Sequence, residues 1–303
     1  MRFTFAKTMC VLSAVAMAMP AGFASARSAQ AQMVNRPITI KRLGVPKPAI
    51  LVGNPFYDLT DLVRGMNVRL ASGKTAKVSA LLDLLDRKAA ELITTESVAP
   101  DNAKLISRAV TEYQLVAYQF AVAAGQLSAS DLAGDDAPAF ADKVIDTIFT
   151  NLQLIDERLA DGDMSVDHAV LSDVFVRLSD ATVRLFSEVI GFDSVRVRLL
   201  VGEDDVDLDA VRTAEMCAAL AKRAAAVNNS EAARQLLSLR GAILDTVAEL
   251  VDDEISVADI GALAGSHTER IQTVSYLLGK KDLAKNADLV NLRNRFLIEV
   301  FAK

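Results

Sequence analysis

The chain has 303 residues, of which 51% are apolar, and a formal net charge of −6. Its length allows one large domain or two of ordinary size, and its acidic balance argues against nucleic acid and against a basic patch for anionic lipid. Aromatic residues make up only 5% and Trp is absent, so Ala, Leu and Val carry the hydrophobicity. This composition favours an all-α chain of closely packed helices over sheets.

The first 26 residues are predicted to be a cleavable secretory signal peptide. Arg2 and Lys7 precede an apolar run from Met9 to Met19, and Ala24-Ser25-Ala26 supplies the small residues of a cleavage site. The apolar run is about half as long as the ~20 residues of a membrane-spanning helix. We therefore expect a periplasmic protein with no transmembrane segment after signal cleavage.

A second small-residue site, Ala29-Gln30-Ala31, gives an alternative signal end at residue 31. Removing residues 1–26 moves the formal net charge from −6 to −8, because Arg2 and Lys7 are lost. It also removes Cys10 and leaves Cys217 as the last cysteine, so an intramolecular disulfide is excluded. Cys217 lies in an Ala- and Leu-rich stretch, where a small buried hydrophobe is favoured over a reactive thiol.

Residues 27–56 are predicted to form an extended, proline-rich arm. Four of the seven prolines lie here, interleaved with the β-prone pieces 38–40 and 50–52. Proline disfavours a helix in such a segment. The arm either lies along its own helical body as a brace or adds as a strand to a partner's sheet edge, and we favour the brace.

Residues 57–303 are predicted to form a helical domain of eight or nine helices in consecutive antiparallel hairpins, as a bundle or an irregular α-array. The first helix begins at Tyr57 and ends before Gly73, with Leu59, Leu62, Val63, Met66 and Leu70 at helical spacing. Six further helices besides the central hairpin are predicted from start and stop signals, near 75–96, 101–125, 205–227, 230–254, 257–279 and 282–302.

The helical hairpin from about Ala137 to Gly191 is the clearest element. Its first arm carries Val144, Ile145, Ile148, Phe149, Leu152, Ile155 and Leu159 at steps of three and four residues. Its second arm repeats the pattern with Leu171, Val174, Phe175, Leu178, Leu185, Phe186, Val189 and Ile190. Gly162 and Ser165 supply the turn between the arms, and both apolar faces are predicted to be buried.

The segment Val195–Val201 interrupts the helical pattern. Its β-branched alternation favours a short strand over a continued helix, and the proline-rich arm is its favoured pairing partner. The surrounding residues, 192–204, are the best candidate for a subdomain boundary.

Several motifs resemble catalytic or metal-binding sites but lack essential residues. Gly73-Lys74-Thr75 resembles the end of a phosphate-binding loop, but Val68 stands where that loop needs glycine. The acidic runs 203–209 and 161–167 resemble calcium loops, and in the first Ala210 replaces the required glycine. Capping of a helix start explains both runs better.

Other candidate catalytic residues also lack the partners that catalysis or metal binding requires. His168 and His267 are predicted on different helices, without the spacing of a metal site. Tyr276 and Lys280 lack the dinucleotide-binding unit that would give such a pair a function. We therefore predict no catalytic residues, no cofactor and no metal.

Two stretches resemble a known family. Tyr57-Asp58-Leu59, Leu62-Val63 and Arg69–Gly73, followed by Ala76 and Leu81-Leu82, are similar to the opening helices of motility protein C, a periplasmic component of alphaproteobacterial flagellar motors. Leu220–Arg234 is similar to a helix pair of the same family, although this chain is shorter. The resemblance implies a non-enzymatic periplasmic protein that engages the flagellar stator, and no functional residue carries over.

Three functions remain open from the sequence. A non-enzymatic scaffold or adaptor that binds another cell-envelope protein is favoured, because helical arrays present extended faces. A binder of a small apolar ligand between helices comes second, and a helical enzyme with paired carboxylates comes third. A large exposed apolar or charged face, a closed apolar pocket and a cleft with paired carboxylates would distinguish the three functions.

Overall fold

The structure is a computed structural model that describes residues 38–132, 137–160, 168–201, 208–251, 257, 260 and 267–301. Within these ranges the chain forms ten α-helices and no β-strand, which confirms the all-α prediction. The helices are α1 Tyr57–Leu70, α2 Lys74–Val98, α3 Ala103–Ala124, α4 Ala137–Ala160, α5 His168–Arg184, α6 Phe192–Val201, α7 Leu208–Ala226, α8 Ser230–Leu250, α9 His267–Leu278 and α10 Ala287–Phe301.

Helix α2 lies at the centre of the N-terminal half and is buried on almost every side. It packs against α1, α3 and α4, and its apolar residues are spread around the helix rather than confined to one stripe. Val78, Leu82 and Leu85 have no measurable exposure. A helix that is apolar all round is typical of a position enclosed by other helices.

The core of this half also holds a hydrogen-bonded polar cluster. The Asp86 carboxylate of α2 accepts hydrogen bonds from Asn151 Nδ2 (2.7 Å) and Thr147 Oγ1 (3.0 Å) of α4. Tyr113 of α3 donates its hydroxyl proton to Asn151 Oδ1 at 2.8 Å, which fixes the orientation of the amide. Burial raises the pKa of Asp86 to about 6, although the two hydrogen bonds oppose this rise.

The predicted hairpin is confirmed as α4 and α5, which pack against each other. Every predicted apolar residue of the two arms is buried or partly buried. Phe149 of α4 stacks against Phe186 with ring centroids 6.2 Å apart. Helix α5 continues as a π-helix, Leu185–Ile190, that ends at Gly191. The predicted turn residues Gly162 and Ser165 lie outside the described residues.

The prediction of a strand at Val195–Val201 is wrong, because these residues belong to α6. Val195 is fully buried whereas Val197 is 61% exposed, so the two valines do not share a face as strand alternation requires. Arg198, three residues beyond the buried Val195, forms ion pairs with Asp142 and Asp146 of α4. These tertiary contacts override the local β-propensity.

The described part of the arm, residues 38–56, lies against the helical body. It does not pair with Val195–Val201 of α6, so the expected strand pairing is wrong. Its backbone forms turns, with Thr39 O accepting from the amides of Arg42 and Leu43. The amide of Ile38 donates to Glu157 Oε2 of α4 at 2.8 Å, and Ile38 is itself buried. The arm is therefore held by a helix side chain rather than by a strand.

The C-terminal half is built from the hairpins α7–α8 and α9–α10. A turn joins α7 to α8 through Asn228, which has a φ of 60°, and the Asn229 side chain caps α8 by accepting from the Ala232 amide. A second apolar cluster, which includes Val247, Leu277 and Phe296, joins α8 to the last hairpin. The predicted subdomain boundary near 192–204 lies partly outside the described residues and stays a prediction.

Candidate functional site

Helix α1 presents its apolar residues to solvent. The sequence prediction of a helix here is confirmed, but only Tyr57 and Val68 are buried in it. The exposed residues form one continuous stripe, which we call the α1 stripe: Leu59 (62% exposed), Leu62 (56%), Val63 (56%), Met66 (46%) and Leu70 (74%). Successive members differ by three, one, three and four residues, the spacing of a single helix face.

The opposite, charged side of α1 faces the protein. Tyr57 donates its hydroxyl proton to Glu91 Oε2 of α2 at 2.8 Å and accepts a hydrogen bond from Lys88 Nζ at 2.7 Å. Asp61 forms an ion pair with Lys88, and Arg64 forms one with Glu91. Helix α1 therefore packs inside out, with a polar contact to the body and an apolar surface towards water.

The contact between α1 and α2 contains two buried charges that must be paired. Lys88 and Glu91 are 2% and 1% exposed, and an unpaired charge at such a depth destabilises a fold by several kcal/mol. Lys88 Nζ lies 3.5 Å from Glu91 and 3.7 Å from Glu112 of α3, in addition to its contact with Asp61. Burial, followed by the charge of Glu91, raises the pKa of Tyr57 above its usual range. The charges of α2 thus orient α1.

An open groove of about 560 Å³ lies between α1 and α3. We call it the α1–α3 groove. Its walls and floor are mainly apolar, with Leu62, Gly65 and Val68 from α1, Leu81 and Leu84 from α2, and Leu115, Val116 and Val122 from α3. Leu115 is 52% exposed and Val122 is 65% exposed, so the apolar surface continues from the α1 stripe onto α3.

Polar groups lie at two places in the groove. Lys88 lines it together with Asp61 and Glu112, the two carboxylates that pair with its ammonium group. Arg69 and Lys77 also line it, and both are exposed. Within the part of the chain that the structure describes, neither cation has a carboxylate at ion-pair distance.

The motif Gly73-Lys74-Thr75 ends one helix and starts the next, as expected. Gly73 has a φ of 96° and precedes α2 directly. Lys74 Nζ donates to Asp131 Oδ2 at 3.0 Å, and Thr75 Oγ1 donates to the Asp131 carbonyl oxygen at 2.9 Å. The side chains that would contact a phosphate are thus engaged with the protein itself.

Tyr276 and Lys280 are brought together with Asp245, which sequence reasoning did not connect with them. Tyr276 donates to Asp245 Oδ1 at 2.6 Å, and Lys280 forms an ion pair with the same carboxylate. The hydrogen bond from Lys280 lowers the pKa of Asp245, and burial raises that of Tyr276. Asp245 is exposed, Tyr276 and Lys280 are partly buried, and the cluster joins α8 to the end of α9.

The remaining candidates show no reactive arrangement. Cys217 is fully buried, and burial raises the pKa of its thiol to about 12, in accord with a packing role. His168 begins α5 and His267 begins α9. No group of three or more metal-ligating side chains occurs among the described residues. The run 161–167 lies outside them, as does most of 203–209.

No helix in the described ranges is both long and apolar enough to cross a membrane. The α1 stripe and the α1–α3 groove are the candidate functional surfaces among the described residues. Sequence reasoning found the spacing of the stripe but not its orientation, and it did not find the groove. No protein-family description, curated protein or solved structure matches the chain.

Proposed function

We propose that the chain is a non-enzymatic, exported helical adaptor that binds another cell-envelope protein through the α1–α3 groove. The observation that carries the proposal is the inside-out packing of α1, which leaves a continuous apolar surface on α1 and α3. Exposed apolar patches of several side chains mark interaction sites on soluble proteins. A partner helix that inserts side chains at intervals of three and four residues fits an open groove between two helices.

The chemistry of the groove supports binding rather than catalysis. Acid–base catalysis by two carboxylates needs them free to exchange protons with a substrate. Asp61 and Glu112 are the carboxylates that line the groove, and Lys88 lies between them and pairs with both. Their charges are therefore used to hold α1 and α3 against α2.

The resemblance to motility protein C supports a more specific partner. The matching residues of the first stretch, Tyr57–Leu59, Leu62-Val63 and Arg69–Gly73, lie in and just after α1. A stator protein of the flagellar motor is therefore the partner to look for first. This assignment stands on the resemblance alone, whereas the location of the docking face stands on the exposed apolar surface.

A small apolar ligand is the second candidate, and the groove is the observation that favours it. Its volume, about 560 Å³, lies within the range of small-molecule pockets, and most of its lining is apolar. The groove is partly open to solvent, whereas ligand pockets usually enclose most of their ligand. A protein partner is therefore favoured.

Capture from the intact envelope with matched variants tests the proposal. The tagged chain is crosslinked in cells at native expression, and the captured proteins are identified by mass spectrometry. We expect Leu115→Glu to abolish capture, because it places a charge in the wall of the groove. Leu237→Glu on α8 is the control, since Leu237 is also 52% exposed.

Two outcomes would contradict the adaptor proposal. One is equal capture by the wild type, Leu115→Glu and Leu237→Glu, which would place any partner elsewhere. The other is no captured protein together with saturable binding of an apolar fluorescent probe, anilinonaphthalene sulfonate, that Leu115→Glu removes. That second result would favour the small-ligand function.

A further inference from the structure

Four of the five residues of the α1 stripe are spaced symmetrically along the helix. Leu59, Val63, Met66 and Leu70 follow one another at intervals of four, three and four residues, so the spacing is the same in both directions along the helix. Two copies of such a helix can pack antiparallel about a two-fold axis with Leu59 opposite Leu70 and Val63 opposite Met66. Interfaces of this kind use one surface patch on both subunits.

The charges beside the stripe have the same self-complementary arrangement. Asp58 and Arg69 are eleven residues apart, close to three turns, so they lie on one flank of α1 near its opposite ends. In the antiparallel pair, Arg69 of each copy comes close to Asp58 of the other. Asp58 is 83% exposed although Oδ1 accepts from Arg108, and Arg69 has no ion-pair partner among the described residues.

We infer that the α1 stripe is the interface of a two-fold symmetric dimer, in which α1 of a second copy packs antiparallel against it. The inference goes beyond the adaptor proposal and does not depend on it. A second copy accounts for both observations, because the four apolar side chains and the charges of Asp58 and Arg69 complement themselves in an antiparallel pair. An unlike partner needs neither of them.

The size of the stripe sets the expected strength. Its five side chains and the 66% exposed Phe56 just before α1 form a patch on the order of 500 Å² per copy. Stable dimers bury about 800 Å² on each partner. We therefore expect a dimer that dissociates in the micromolar range, with the α1–α3 groove beside the interface.

Sedimentation equilibrium of residues 27–303 over a concentration series tests the inference. We expect the wild type to change from monomer to dimer at micromolar concentration. Val63→Glu places two carboxylates at the centre of the interface, so it should remain monomeric. Leu237→Glu should dimerise like the wild type. A wild type that is monomeric up to several hundred micromolar, or a dimer that Val63→Glu does not weaken, overturns the inference.

A charge-reversal series tests the antiparallel arrangement itself. Arg69→Asp brings two carboxylates together at each end and should weaken the dimer several-fold. Asp58→Arg combined with Arg69→Asp restores opposite charges across the interface and should recover most of the loss. A double variant that dimerises less well than Arg69→Asp overturns the arrangement, provided that circular dichroism shows the same melting temperature for both.

The dimer inference and the adaptor proposal can be contradicted independently of each other. A monomeric wild type whose Val63→Glu variant loses a captured envelope protein assigns the stripe to an unlike partner, and this overturns the dimer. A dimer that Val63→Glu abolishes, together with an envelope that yields no captured protein, supports the dimer and contradicts only the adaptor.

Discussion

Lys88 Nζ donates a 2.7 Å hydrogen bond to the Tyr57 hydroxyl, and this contact joins a fully buried cation of α2 to the first residue of α1. Asp61 and Arg64 continue the polar contact along the same side of α1. The three residues lie three and four positions apart, so they occupy one face. That face is turned inward because its partners, Lys88 and Glu91, are buried in α2 and cannot be left unpaired.

Replacing Lys88 by methionine tests the role of the buried charge. The substitution keeps the side-chain length but leaves Glu91 with Arg64 as its one cationic partner among the described residues and leaves Asp61 and Glu112 without their shared cation. We expect the free energy of unfolding to fall by about 3 kcal/mol, because one partner of a buried ion pair is removed. Urea unfolding measures it, with the exposed Lys77→Met on the same helix as control. A loss no greater than the control's would show that α1 is not oriented by this pair.

The Asp86 cluster predicts a pH dependence of stability. Burial raises the pKa of Asp86 from 3.8 to about 6, so the folded state binds its proton more tightly than the unfolded state does. Stability from this carboxyl is fully present below the unfolded pKa and is lost as pH rises through the folded pKa. Asp86→Asn, whose amide oxygen can accept from Asn151 and whose amide nitrogen can donate to Thr147 Oγ1, should remove that loss.

We therefore compare the free energy of unfolding of Asp86→Asn with that of the wild type. The difference should shift in favour of Asp86→Asn by on the order of 2 kcal/mol as the pH rises from about 3.8 to above 6. Chemical denaturation at a series of pH values measures the difference. Asp101→Asn, an exposed change just before α3, should show the same pH dependence of stability as the wild type. If the two proteins differ in free energy of unfolding by the same amount at every pH in this range, burial does not raise the pKa of Asp86.

Glycine substitutions test the local conformation beside the groove. Gly65 lies inside α1, and no atom lies within 4 Å of a Cβ built there. Gly65→Ala should therefore raise the free energy of unfolding by about 0.5–1 kcal/mol, because alanine favours the helix. Gly73 has equal space but a φ of 96°, so Gly73→Ala should be destabilising. Thermal melts compare both variants with the wild type. A lower melting temperature for Gly65→Ala together with a higher one for Gly73→Ala would contradict the described backbone.

Deleting residues 33–52 tests the arm as a brace. Ile38, Leu43 and Val52 are buried, and Glu157 accepts the Ile38 amide, so the deletion removes apolar burial and uncovers a carboxylate. We expect a melting temperature several degrees lower, with envelope capture still measurable below the new transition. An unchanged melting temperature with loss of the captured partner would instead make the arm the binding element.

Helical periodicity predicted most of the fold, because each helix that covers a core carries apolar residues on one face. It could not give the orientation of α1. Tyr57, Asp61, Arg64 and Val68 repeat at the same helical spacing as Leu59, Val63, Met66 and Leu70, so the helix has two candidate inner faces. The choice depends on Lys88 and Glu91, which lie on another helix. Periodicity also failed at Val195–Val201, where ion pairs to Asp142 and Asp146 decide the conformation.

Thiol labelling tests the inside-out packing of α1 most directly. The expected mature chain has a single cysteine, Cys217, which is fully buried and therefore gives no background reaction. The labelling uses dilute native protein, in which the inferred dimer is dissociated. We predict that the thiol of Met66→Cys then reacts nearly as fast as it does in the unfolded chain. Val68→Cys, at a side chain that is only 9% exposed, should react at least about tenfold more slowly. Rapid labelling at Val68 with protection at Met66 would contradict the account.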